Sequence, residues 1–375
     1  DIYVKRWDLK PLEEDEERYV DSEPPNEIHS NKDISTIDTN DIPDIDLLCG
    51  GFPCQDYSVA KNVNKAKGLV GKKGVLWWDI LRIAADKKPK ILCIGSILWD
   101  IIGYSITPLA RGDDKEGIIS KQPGGVAMNL AVRLSKYGIT PAIISALGDD
   151  TEGLELIEIC KKHSIIYDDI LVCPKRRTDF YMAIEDPDGV ALAIADTRLL
   201  TENKGKVLNP LISGRYKNWN SPIILDSNLS DEVLEELRYN SAFKNSDFRL
   251  APGSPSKVDR LIMFLTHSGS SIYLNLKEAN YILRKTFQSS VDAALEILSY
   301  GLNSVLVTNG ERTACFAQGN ELIKLKPPTV KVSKLTGAGD VLMATHITKL
   351  LERSSNYDAM SFALEETSKF ISEGI

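Results

Sequence analysis

This chain lacks the features that would place it in a membrane or an exported compartment. No apolar stretch reaches the length needed to span a bilayer, and the first residues carry no signal-peptide pattern. The cysteines Cys49, Cys54, Cys93, Cys160, Cys173 and Cys315 contain no C-x-x-C pair, and several lie in apolar runs. That argues against a disulfide framework or a zinc site, and for reduced thiols in a cytoplasmic protein. His163, His267 and His346 stand at no metal-ligand spacing. Positive charge is in deficit, with 45 Lys and Arg against 53 Asp and Glu, so the surface as a whole gives no reason to expect nucleic-acid affinity. What remains is ordinary for a soluble globular protein, 43% hydrophobic and 26% charged over 375 residues. That length allows two domains, or one large α/β domain with an appendage.

Composition divides the chain unevenly. Residues 1–45 are polar and acidic, with Glu13-Glu14-Asp15-Glu16-Glu17 and Pro24-Pro25, and read as a solvated, poorly ordered segment. Asp46-Leu47-Leu48-Cys49 reads as a short strand entering the turn Gly50-Gly51-Phe52-Pro53-Cys54-Gln55, and residues 75–85 read as a helix carrying Trp77 and Trp78. The composition changes again at Lys87-Lys88-Pro89-Lys90, which marks a boundary.

Beyond that boundary, apolar runs recur at Ile91–Ile94, Ala142–Ile144, Ile223–Leu225, Ile272–Leu274 and Val305–Val307. Helical patterns lie between several of them, over 126–137, 152–163 and 291–300. Apolar strands alternating with helices predict a doubly wound α/β fold, its mostly parallel sheet covered by helices on both faces. Polar residues follow the strands: Asp100, Asp149-Asp150, Asp226 with Asn228, Asn275 with Glu278, and Thr308-Asn309. In such sheets ligands bind outside the carboxyl ends, where these groups would collect. One stretch breaks the pattern. Phe180, Met182 and Ile184 alternate with other residues, Asp186-Pro187-Asp188-Gly189 turns, and Val190, Leu192 and Ile194 alternate again. This predicts a hairpin with one buried face, a small β-lid around residues 178–198 that would exclude water from a nearby cleft.

The densest chemical signal is Thr336-Gly337-Ala338-Gly339-Asp340, followed by apolar residues at helical spacing from Val341 to Leu351. Glycines at a helix N-terminus let backbone N–H groups approach an anion, whose charge the helix dipole favours. A carboxylate beside such an anion hole is a candidate base for activating a hydroxyl toward a phosphoryl group. Taken singly, these residues have plainer readings: Asp340 as a first-turn acid, Glu278 as an exposed helix residue, Asn129 as a surface amide.

As an ordered set they carry more. Gly124-Gly125-Val126-Ala127-Met128-Asn129 opens a helix, Asn275-Leu276-Lys277-Glu278 follows a strand, and Val307-Thr308-Asn309-Gly310 closes another. With Thr336–Asp340, and in this order, they resemble the ribokinase-like PfkB family of sugar and nucleoside kinases over residues 88–375. The resemblance implies ATP as phosphoryl donor and Mg²⁺ as its ion. It implies that Asp340 is the base, with Gly337, Ala338 and Gly339 forming the anion hole. It assigns Asp100, Gly124, Gly125 and Asn129 to a small-molecule sugar or nucleoside, and Thr308, Gly310 and Thr336 to the nucleotide. Asn275 and Glu278 would position Mg²⁺, directly or through its waters. A homodimer paired through the lid is also implied. Within the family the likeness is greatest to pseudouridine kinases, carried by Pro123–Val126, Ala195-Asp196, Asp226–Ser230 and Ala251–Lys257. It implies the 5′-hydroxyl of pseudouridine as acceptor, with Asp196 on the lid touching base or ribose.

The chain departs from the family pattern at Lys334, six residues before Asp340, at Thr313, and at Val341-Leu342. These positions bear on a monovalent-cation site and on the nucleotide pocket, and a catalytically inactive nucleoside-binding protein stays open as an alternative.

A second resemblance lies upstream. Asp46 to Ser58 resembles the nucleophile motif of DNA cytosine-C5 methyltransferases, and Gly68 to Ile83 the segment that follows it in that family. The resemblance makes Cys54 the thiolate that attacks a flipped cytosine, with S-adenosylmethionine as methyl donor. No Gly-rich cofactor loop precedes Cys54, and the expected Glu-Asn-Val element is replaced by Ile91–Ser96. Residues 46–87 therefore read as an incomplete α/β methyltransferase fragment fused to a kinase, without methyl transfer, the alternative being a DNA methyltransferase acting through Cys54.

Overall fold

The computed structural model describes residues 90–373 apart from 214–215, 217–218 and 334–335, together with three short strands nearer the N-terminus. The chain divides into two compact units, Asp1–Lys88 and Pro89–Ile375. In the first, β1 (Lys10–Leu12), β2 (Asp15–Val20) and β3 (Ile28–Ser30) pair antiparallel in that order, within the segment read as acidic and solvated. Cys54 with its flanking motif, and the helix expected over 75–85, lie outside the described residues.

The second unit is built on a nine-stranded sheet. Its strands are β4 (Lys90–Ile94), β7 (Thr140–Gly148), β8 (Ile170–Cys173), β11 (Ile223–Asp226), β12 (Phe248–Ala251), β13 (Ser270–Asn275), β14 (Ser304–Thr308), β15 (Ala314–Gln318) and β16 (Glu321–Leu325). They run in the order β16-β15-β14-β13-β12-β11-β4-β7-β8, parallel from β14 to β8, with antiparallel pairings of β15 to its two neighbours. The apolar runs form strands because both sheet faces are covered. Leu92 and Ile94 point into one apolar layer, Ile91 and Cys93 into the other, and all four are fully buried.

Helices α3 (Asp231–Tyr239), α4 (Leu276–Leu283) and α5 (Ser290–Leu298) cover the first face. Helices α1 (Val126–Lys136), α2 (Thr151–Lys162), α6 (Ala338–Leu351) and α7 (Asn356–Ser372) cover the second. This is the expected doubly wound architecture. From β4 the sheet grows one way through β7 and β8, then restarts at β11 on the opposite side of β4. The strand order reverses between β4 and β11, and the crevice at their carboxyl ends is the place such a sheet offers a ligand.

The lid is larger than a hairpin. Strands β9 (Phe180–Asp186) and β10 (Gly189–Ala195) pair as expected, but β5 (Leu98–Ser105) and β6 (Gly117–Gly124) extend them into a four-stranded sheet ordered β10-β9-β5-β6. The face expected to be buried is not: Met182, Ile184, Val190, Leu192 and Ile194 are exposed because, among the described residues, no other element of this chain packs on that side of the lid. Strand β6 is exposed along most of its length, so its sequence carries little of the apolar alternation that betrays a half-buried strand. Asp100 consequently stands within a lid strand, opposite Tyr181 of β9, rather than in a loop beyond β4.

Among the described residues, Cys93, Cys160, Cys173 and Cys315 are unpaired and buried, and no helix is long and apolar enough to cross a membrane.

Candidate active site

Two helix starts bring the principal residues together. Helix α6 begins after Gly337, whose φ of 83° places the N-cap in the left-handed region that glycine occupies without strain, and Asp340 falls in the first turn. Helix α1 begins after Gly125 at the end of β6, which sets Asn129 one turn inside. Its Nδ2 donates to Asp340 Oδ2 at 2.8 Å. Burial raises the Asp340 pKa to about 7; Asp226 and Asp100 push it the same way, while the Asn129 amide and Arg133 pull against them. A carboxyl poised there suits a general base at neutral pH.

Asp100 is 6% exposed, and burial lifts its carboxyl to about 7 as well. A Cβ on Gly124 would lie 2.1 Å from the Asp100 carboxyl carbon, so glycine is what lets this carboxylate reach the pocket. Asp340, Asn129, Asp100, Gly124 and Gly125 thus belong to one neighbourhood, at the carboxyl ends of β4 and β11.

Sequence reasoning missed the floor of that neighbourhood. Asp226, fully buried at the end of β11, accepts from the Ser96 backbone N–H at 2.8 Å, from the Ser96 hydroxyl, and from the Asn228 N–H and Nδ2, each at 2.8 Å. The Ser96 hydroxyl oxygen in turn accepts from Val126 N–H at 3.1 Å, so this network braces the start of α1 across the switch-point crevice. Lys257 donates to Asn228 Oδ1, and burial holds its ammonium below the usual lysine range. The polar residues after β11 signalled a strand end; their joint role needed the fold to be seen.

The N-x-x-E element occupies a different stretch of the sheet. Asn275 caps α4, its side chain accepting from Glu278 N–H at 2.9 Å, while Glu278 Oε2 accepts from Asn275 N–H at 2.8 Å. Glu278 is buried in this reciprocal capping box; burial raises its carboxyl pKa, while the hydrogen bonds from Asn275 pull the other way. The exposed-helix reading of Glu278 is therefore excluded. Thr308 lies directly across from Asn275 in register, and Gly310 forms the turn beyond it with φ of 56°. Among the described residues no group of three or more His, Cys, Asp or Glu side chains is arranged to hold a metal.

Asp196 lines a cleft of about 350 Å³ at the lid root, with Lys175, Arg177 and Asp179. Arg198 grips its carboxylate with Nε and a terminal nitrogen at 2.8 and 2.7 Å, and that hydrogen bonding lowers its pKa. Thr336, exposed at the start of the catalytic turn, donates its hydroxyl to Glu185 on β9 at 2.6 Å. Lys334 lies outside the described residues.

Comparison with known proteins places two families along the chain. Residues 88–369 match the family model described as pfkB family carbohydrate kinase. Residues 22–94 match that of the C-5 cytosine-specific DNA methylases. The pseudouridine kinase of Escherichia coli K12 is 27% identical over 264 residues, covering 69% of this chain and 82% of that protein. The type II methyltransferase M.Sau3AI of Staphylococcus aureus is 46% identical over 74 residues, but these make up 19% of this chain and 18% of that enzyme. A carbohydrate kinase from Agrobacterium tumefaciens superposes with a TM-score of 0.60 at 24% identity, over 74% of this chain and 89% of its own. An Arabidopsis thaliana ribokinase complexed with ribose and ATP gives 0.58 at 19% identity, over 76% and 92%.

Proposed function

The chain belongs to the pfkB family of carbohydrate kinases, and from that premise we propose that it transfers the terminal phosphoryl group of ATP to a hydroxyl of a sugar or nucleoside, most specifically the 5′-hydroxyl of pseudouridine. The hydrogen bond between Asn129 and Asp340, at the head of α6, carries this reading. Asp340 takes the proton of the acceptor hydroxyl as its oxygen bonds to the γ-phosphorus. The bond from that phosphorus to the β,γ-bridging oxygen breaks, and ADP leaves. The N–H groups of Gly337, Ala338 and Gly339, pre-aimed by the helix start, stabilise charge on the transferred group without reorganising.

Asp100 and Asn129 orient acceptor hydroxyls, Gly124 and Gly125 let the acceptor approach the backbone, and Thr308, Gly310 and Thr336 line the ATP site. Asp196 would reach the base or ribose from the lid root. Asn275 and Glu278 would hold Mg²⁺ by way of its waters. Their side chains are committed to a capping box, and an ion that keeps several waters and takes phosphate oxygens suits such a pair. When bound, the ion would neutralise phosphate charge.

The outer face of the lid supports a homodimer: Ile119, Met182, Leu192 and Ile194 are half or more exposed there, more apolar surface than a lone sheet face usually leaves in water. Unpaired buried cysteines support a cytoplasmic setting.

An ADP-release screen over pseudouridine, uridine, adenosine, ribose and fructose, with Asp340→Asn as control, tests the reading. ADP production that needs Asp340 is expected with a nucleoside or sugar. If no acceptor lifts the signal above the control while pseudouridine still binds, the chain is an inactive nucleoside-binding protein.

The likeness of the N-terminal segment to DNA methyltransferases favours a second reading, methyl transfer from S-adenosylmethionine to DNA through Cys54. We infer instead that this segment is a remnant, since the Glu-Asn-Val element that would activate cytosine is replaced by Ile91–Ser96, which opens the kinase sheet. Labelled S-adenosylmethionine with cytosine-containing DNA separates the two: incorporation that disappears in Cys54→Ser would establish the methyltransferase.

A further inference from the structure

A hydrogen bond that none of the shared motifs requires joins the lid to the glycine turn at the head of α6. Residues Asp100, Ile102 and Tyr104 of β5 stand opposite Tyr181, Ala183 and Glu185 of β9, so Glu185 lies on the lid face that carries Asp100. The phenol of Tyr181 senses both carboxylates: burial raises its pKa first, and Asp100 and Glu185 raise it further. From this face Glu185 Oε1 accepts the Thr336 hydroxyl at 2.6 Å, spanning 151 residues of chain. Thr336 is exposed, and it immediately precedes the left-handed Gly337 on which the anion hole turns.

Building on the kinase reading, we propose that Glu185 is a positioning residue that couples lid closure to assembly of the anion hole. With the lid down over the acceptor, Glu185 holds Thr336 and fixes the orientation of the Gly337–Gly339 N–H groups. With the lid raised the carboxylate withdraws, the turn is released, and bound ATP meets an incomplete site. The binding energy of the acceptor thus completes the site for phosphoryl transfer, which protects ATP from attack by water. Chemistry favours this partner pair: a carboxylate accepting from a hydroxyl makes a short, directional bond, and the glycine turn beside it has little side-chain packing to orient it otherwise.

The test is a double-mutant cycle with Glu185→Ala, Thr336→Val and their combination, plus Glu185→Gln and Thr336→Ser as conservative controls. Each disruptive single variant should lower kcat roughly tenfold and raise the KM of the acceptor more than that of ATP, and the double variant should be no worse than either single. Glu185→Gln and Thr336→Ser keep an acceptor and a donor and should restore most of the loss. Hydrogen exchange supplies a readout independent of turnover: amides of residues 336–339 should exchange faster in Glu185→Ala and in Thr336→Val alike. Additive losses, or unchanged exchange in both variants, would overturn the coupling. If the unaltered protein forms no ADP with any acceptor, the kinase reading fails, and the exchange experiment still decides whether Glu185 restrains the turn.

Discussion

Asn129 and Asp340, 211 residues apart in the chain, are joined by a 2.8 Å hydrogen bond across the starts of two helices. Asp340 keeps a raised pKa despite the contact, so the Asn129 hydrogen bond only partly offsets the effect of burial on its carboxylate. The pair makes sense as a base held in aim. Asp340→Asn preserves size and leaves Asn129 a partner, so the fold and acceptor binding should survive. Loss of the general base should lower kcat by roughly 10²–10⁴. Calorimetric binding of pseudouridine alongside steady-state ADP release separates the two effects; a kcat within a few-fold of the parent would remove Asp340 from the chemistry.

The pH dependence follows from the same carboxyl. With its pKa near 7, Asp340 must lose its proton to act, so kcat/KM should rise with pH through about 7 and level off above it. Asp100 titrates near the same value, so the midpoint belongs to the coupled pair. The Asn129 amide favours the ionised form, and Asn129→Ala should therefore move the midpoint upward. A pH profile of kcat/KM for the variant checks the sign; a downward shift contradicts the assigned hydrogen bond.

Gly124→Ala isolates the sugar side of the pocket. The added methyl would sit 2.1 Å from the Asp100 carboxyl carbon and must displace that side chain or the strand. An ångström of misplacement at a positioned group can cost on the order of 10²-fold, so kcat/KM for the acceptor should fall by about that much while the KM of ATP changes little. Equal losses for both substrates would mean that the strand itself has moved.

Buried Asp100 also predicts a trade between function and stability. Its folded pKa of about 7 lies above the ordinary 3.8, so the folded chain holds a proton that the unfolded chain has released. Its contribution to stability is complete below the unfolded value and is lost as pH rises through the folded one. Asp100→Asn removes that loss. At pH 8 the variant should melt higher than the parent, by ~2–4 °C for each kcal/mol recovered in a domain of this size, while acceptor binding weakens. Thermal melts at pH 5 and pH 8 test it, and a variant whose melting point drops equally at both pH values would refute the assignment.

Much of this fold was legible before the structure. Strands β4, β7, β11, β13 and β14 are apolar without a polar break because two helical layers cover them, and that burial is written directly in residue type. The exposed β6 leaves no such mark, which is why the lid looked like a hairpin, and the edge strand β16 of the large sheet is equally unmarked. The glycine turn at the head of α6 was legible from its own composition. The Ser96–Asp226–Asn228–Lys257 network was not, because its members come from the carboxyl ends of β4 and β11 and from the segment after β12, and only the switch in strand order makes them neighbours. Likewise the sequence shows Asp196 but not that Arg198 engages both of its oxygens.

His346 provides the complementary test of the core. It is fully buried on α6, its Nδ1 lies 3.1 Å from the Tyr273 hydroxyl, and its Nε2 has no hydrogen-bond partner among the described residues. Burial, with Arg249 adding to it, lowers its pKa from 6.5 to about 3. Between those values the unfolded chain takes up a proton that the folded chain refuses, so stability is lost as pH falls below 6.5, the opposite sign to Asp100. Replacing the ring by an aliphatic side chain, His346→Leu, should cost stability at pH 8, where a packed ring and its contact with Tyr273 are lost. It should also flatten the decline in melting temperature between pH 7 and pH 5, because the group that charges on unfolding is gone. Melting curves of parent and variant across that range give the slope directly; an unaltered slope would mean that a different group carries the acid sensitivity.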